Sequence, residues 1–86
     1  MAEVAQIHPE LIVMYETVLV VSQRAARMDP ALTTLAGLRE RRNELVHKSA
    51  RISAMDVRQR AWHLGETAAV TQMIDERLGL ARQEKT

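Results

Sequence analysis

The chain has 86 residues, 47% of them apolar and 27% charged, with a formal net charge of +1. This length supports one small core, close to the size at which self-association helps stability. The absence of cysteine excludes disulfides and thiolate metal sites, and the near-neutral charge singles out no class of partner.

One Trp, one Tyr and no Phe leave Leu, Val, Ile, Ala and Met to build the core, and only three Gly and two Pro punctuate the chain. That set suits helices and argues against a turn-rich sheet fold. The opening "MAEVAQIHPE" has no basic stretch leading into an apolar run, so no secretory signal is read there and a reducing, cytoplasmic setting is expected. Residues 1–8 are expected to be a flexible N-terminus ahead of a single helical domain, 9–86.

Pro9 followed by Glu10 reads as a first helical turn, and the first helix is predicted at about 9–28. Leu11, Met14, Val18, Val21, Ala25 and Met28 share one stripe at helical spacing, widened by Ile12, Tyr15, Leu19 and Ala26. Val13 and Val20 fall on the other side, among Thr17, Arg24 and Arg27. Valines placed there suggest that this helix is covered twice, by its own chain and by a second copy. The runs "LIVMY" and "VLVV" are too short to span a bilayer and are broken by Glu16 and Thr17.

In "MDPAL", Asp29 has the character of an N-cap and Pro30 that of a first helical residue, which places the second helix at about 30–50. Leu35, Leu38, Arg42, Leu45, Ser49 and Ile52 follow alternating steps of three and four, a heptad seam. Leu35, Leu38, Arg42 and Leu45 are therefore assigned, with Val13 and Val20, to dimer contact and helix register. Arg42 is expected on the packing surface, paired with Glu16 or Asp75, and Arg41 on the opposite side beside Lys48.

In "RISAMD", Ser53 and Asp56 have the spacing of a capping box, and the third helix is predicted at about 54–82. Gly65 within it is a point for a kink, at a cost of roughly 1 kcal/mol relative to Ala. Two apolar stripes run along this helix, one through Val57, Ala61, Leu64, Ala68, Thr71, Ile74 and Leu78, the other through Met55, Trp62, Ala69, Met73 and Leu80. Small residues between them (Ala54, Ala61, Gly65, Ala68) allow another helix to come close. The expected architecture is all-α: a small three-helix bundle, or a helical hairpin with a long third helix, completed by dimerisation.

Arg39–Arg60 holds seven Arg or Lys against three acids, enough for a helix-turn-helix reading in which Arg58, Arg60 and His63 face DNA. The arginines alternate with Glu40 and Glu44, though, and no basic arm exists, so nucleic acid is the second choice. Glu44 and His47 make one E-x-x-H, half of what a di-iron bundle uses, with Glu16 as a conceivable extra ligand. An anion site at Arg42 lacks further basic and polar positions, and no nucleophile–base motif is present. A membrane-surface helix would need a polar face rich in Lys and Arg, whereas these faces mix both signs.

What the sequence supports is a protein–protein interaction module (adaptor, chaperone, anti-activator or inhibitor), with no catalysis, cofactor or metal of its own. It is expected to form a homodimer and to bind a partner protein through an apolar helical face. Met55, Trp62, Leu64, Met73 and Leu80 are its expected anchors, with Arg58 and Arg60 as rim charges that set orientation.

Overall fold

Helix ends here are set by side chains that capture backbone N–H groups, and they differ from the sequence expectation in an instructive way. The computed structural model describes residues 9–84, with side chains for 9–79; the flexible segment expected at 1–8 and the side chain of Leu80 lie outside the described residues. All described elements are helical: α1 (Pro9–Arg27), a 3-10 turn (Pro30–Leu32), α2 (Leu35–Ser49), a second 3-10 turn (Ile52–Ala54) and α3 (Val57–Glu84). No helix among them is long and apolar enough to cross a membrane.

Asp29 does act as a cap, accepting from the Ala31 N–H at 2.9 Å, but it starts only the first 3-10 turn. The cap of α2 is Thr34, in extended conformation, whose hydroxyl accepts from the Gly37 N–H at 3.1 Å. The second helix therefore begins at Leu35 and not at Pro30. Gly37 is what lets the turn fold back so tightly, because a Cβ there would strike the Ala31 carbonyl.

The start of α3 shows the same shift. Ser53 lies in the second 3-10 turn, and the capping box forms three residues later. Asp56 accepts from the Gln59 N–H at 2.8 Å, and the Gln59 side chain accepts from the Asp56 N–H at 3.0 Å.

The three helices do not close into a triangle. α3 is central and packs on both others, whereas α1 and α2 scarcely meet. α1 runs parallel to α3: Arg58 lies near Met14, Gly65 against Leu19 and Ser22, and Arg27 pairs with Glu76 at 3.4 Å. α2 runs antiparallel to α3, with Arg77 reaching the Thr33 carbonyl at one end and Lys48 beside Gln59 and Trp62 at the other. The result is elongated, 57 × 25 × 23 Å.

The core is small. Leu32, Leu38 and Leu45 meet Val70 and Ile74, with Ala26 and Ala69 filling the seam and Leu35, Met73 and Leu78 packing around it. On α1 the buried residues are Ser22 and Ala26; Ala26, with half-buried Tyr15 and Leu19, belongs to the widening edge of the apolar stripe read from the sequence, whose centre lies to one side. Within that stripe Met28 is 82% exposed, Val21 48% and Leu11 44%. Small side chains, rather than bulky ones, mark the line of closest approach.

The reason is Gly65, through which α3 passes as an unbroken helix. A Cβ at this position would sit 2.6 Å from the Leu19 carbonyl and would overlap the Ser22 hydroxyl. Ala61 and Ala69, one turn to either side, are equally buried. Thus the small-residue strip of α3 is occupied by the chain's own α1 and not by a neighbour. Ala68 is exposed and Ala54 precedes the helix, so neither belongs to that strip.

Gly79 is a contrasting case, since a Cβ there would touch nothing within 4 Å. Gly79→Ala is expected to raise stability by about 0.5–1 kcal/mol through lost backbone freedom in the unfolded chain. A thermal melt followed at 222 nm would show it as a rise of a few degrees.

Candidate functional site

The turn end of the α2–α3 hairpin gathers side chains around Trp62. A depression of about 180 Å³ there is lined by Lys48, Met55, Gln59, Trp62 and His63. Trp62 is 40% exposed and Met55 is half-buried, its backbone extended between the second 3-10 turn and α3. His63 is only 5% exposed, and its Nδ1 has no partner within the protein.

The two rim arginines are tied to the fold. Arg60 donates to the carbonyls of Ile52 and Ser53, at 3.1 and 3.4 Å, and so fastens the second 3-10 turn to α3. Arg58 reaches the Met14 sulfur at 3.8 Å and links α3 to α1.

The expected anchors do not form one patch. Met55 and Trp62 share the depression, but Leu64, 43% exposed, is two residues from Trp62 and so faces a different side of the helix. Met73 lies toward the far end, packed on the core beside Leu38 and Arg77. Leu80 falls outside the described side chains.

Leu38 and Leu45, assigned to dimer contact, are 0% and 1% exposed and belong to the chain's own core; Leu35 is half-buried against it. Val13 and Val20, by contrast, are 62% and 45% exposed. α2's seam is thus buried inside one chain, whereas α1 turns several apolar side chains outward, Val13 and Val20 among them.

The expected roles of Arg41 and Arg42 are exchanged. Arg41 is half-buried and donates to Glu66 through Nε at 2.7 Å, with a second contact from Nη2 at 2.6 Å. It also meets Glu44 at 2.8 Å. The Glu44 hydrogen bond first, then Glu66, holds its guanidinium above the ordinary arginine value, against the lowering effect of burial. Arg42 is exposed, beside Arg39, Asn43 and Val46, and makes none of the ion pairs found among the described residues.

The physical reason lies in α3. Positions 41 and 42 flank the line through Leu38 and Leu45 almost equally, and a carboxylate waits on one side only. The sequence did carry a signal: Glu66 is the lone charged residue between Ala61 and Ile74, and an acid in so apolar a run needs a cation.

Two alternative chemistries can be placed. Glu44 serves Arg41 and His47 Nδ1 sits 2.8 Å from the Asn43 carbonyl, so the E-x-x-H pair is engaged within its own helix. Among the described residues no three potential metal ligands come together. The antiparallel course of α2 along α3 also differs from a helix-turn-helix, whose two helices cross at about 90–120°.

No known protein family, curated protein or solved structure matches this chain.

Proposed function

We propose that the chain is a protein–protein interaction module, without catalysis of its own, whose partner docks on the hairpin end around Trp62. The observation that supports this is an indole 40% exposed at the mouth of an apolar depression, beside Met55. A tryptophan of this kind is the side chain most often found at energetic centres of interfaces, and methionine beside it adapts to the shape that enters. Lys48 and Gln59 give the rim its polar groups, which orient a partner more than they hold it.

The test begins with a photo-cross-linking amino acid at Gln59 and, as a control, at Arg39 on the outer face of α2. A partner captured from Gln59 alone is then purified and its affinity measured. Trp62→Ala is expected to weaken it about thirtyfold, roughly 2 kcal/mol, with an unchanged melt. An unaltered affinity would remove Trp62 from the site, and equal capture from both positions would remove the site itself.

Nucleic-acid binding is the second reading, favoured by the exposed Arg39 and Arg42 on that outer face. It requires a labelled duplex to bind at low salt and release steeply as salt rises. Absence of binding at low salt would end that reading.

A further inference from the structure

We infer that a second copy of this chain packs on the outer face of α1, antiparallel, about a two-fold axis beside Val20. The inference rests on the reading of the chain as an interaction module, but it uses a face separate from Trp62.

α1 spends its small residues on α3, through Ser22 and Ala26. On the side away from them, Val13, Thr17, Val20 and Arg24 follow steps of four, three and four, the spacing by which one helix lies along another. Val13 and Val20 are 62% and 45% exposed, with Val21 at 48% on the flank. α2 does not cover them, since it scarcely touches α1.

Charge selects the occupant and its direction. α1 carries Glu10 and Glu16 in its first half and Arg24 and Arg27 in its second, all exposed; Arg27 already pairs with Glu76 of α3, which leaves Arg24 as the basic group this face offers to a second copy. An antiparallel copy sets each acidic half against a basic half, while a parallel copy stacks like on like. A shallow depression between Glu16 and Arg24, floored by Thr17, Val20 and Val21, already joins the apolar and charged parts of this face. The helix dipole also favours acids first and bases last. It does not account for two outward valines seven residues apart. Self-complementarity of this kind is what an isologous two-fold contact requires.

The chain has no cysteine, so an introduced one reports alone. Val20→Cys is expected to cross-link to its mate through a short bis-maleimide. Val13→Cys is not, because the two-fold separates its copies by roughly 21 Å along the helix. Cross-linking at both positions would mean parallel packing and would overturn the proposal, as would cross-linking at neither.

Light scattering of the unaltered chain should give twice the chain mass, and Val20→Glu the single mass with helical circular dichroism intact. Should that variant fail to fold, Glu16→Arg and Arg24→Glu serve instead. Each alone is expected to raise the dimer dissociation constant roughly tenfold, and mixing the two should restore pairing. Equal weakness of the mixture and the single variants would refute the antiparallel charge match. Trp62→Ala should leave the mass unchanged; a dimer lost in that variant but kept in Val20→Glu would place self-association on the other face. A monomeric chain whose captured partner still depends on Trp62 would overturn this inference alone.

Discussion

Gly65→Val is expected to cost about 4 kcal/mol, and Gly65→Ala about 2 kcal/mol, although alanine is the better helix former by about 1 kcal/mol. The sign for alanine is the informative part. Were the helices ordinarily spaced, Gly65→Ala would stabilise, as expected at Gly79. Instead a Cβ here meets the Leu19 carbonyl at 2.6 Å and overlaps the Ser22 hydroxyl. The carbonyl is backbone and cannot turn aside, so α1 must lift from α3 and loosen Ala26, which is 4% exposed in the core. The hydroxyl cannot turn freely either, since it donates to Leu19 O at 2.9 Å.

A domain of this length has a total stability of roughly 4–13 kcal/mol, so the valine variant should stand near its unfolding threshold. Urea midpoints at constant slope measure both changes. Ser22→Gly combined with Gly65→Ala should recover part of the loss, because the two positions share one contact. A stabilised Gly65→Ala would show that the close parallel crossing of α1 and α3 is wrong.

That crossing explains which parts of the molecule were legible in sequence. Three helices, their order and an all-helical fold follow from periodicity and the scarcity of breakers. Which side of α1 faces inward follows only in part. Periodicity weights bulky residues, so it centred the stripe on Val21 and Met28 and left Leu19 and Ala26 at its edge, whereas the closest contact runs along that edge and through Ser22, where side chains are short enough to let backbones meet. Gly65 read equally well as a kink or as a close approach, since both place glycine inside a helical run.

The helix starts were missed for a different reason. Asp29, Thr33 and Thr34 all have cap chemistry, as do Ser53 and Asp56, and which N–H each captures depends on how the turn folds. Of the candidate site, the sequence singled out Trp62 and Met55, which share one depression, but their separation from Leu64 and Met73 was not legible. A stripe on a 28-residue helix that lies between two neighbours divides its side chains among both of them and solvent.

Arg41→Ala is expected to cost about 3 kcal/mol, against less than about 0.5 kcal/mol for the neighbouring Arg42→Ala. Glu66's side chain is 12% exposed, and one of its oxygens, Oε1, has no protein partner even with Arg41 in place. Removing the guanidinium leaves a carboxylate with neither water nor cation enough to hold its charge. Since Arg41 itself is 30% exposed, some solvent can enter and the loss stays at the lower end for buried pairs.

The contact with Glu44 adds little, because that side chain is 55% exposed; Glu44→Ala should cost no more than about 0.5 kcal/mol. Lysine at position 41 supplies a point charge without the fork and should recover only part of the loss. Arg41→Leu with Glu66→Leu, which removes both charges, should return to within about 1 kcal/mol of the original chain. Such a recovery would mean that the pair sets the register of α2 on α3 more than it adds net stability. Were Arg42→Ala the costly change and Arg41→Ala the silent one, α2 would have to be turned about its axis by roughly 100°, and Leu38 and Leu45 could not both remain in the core.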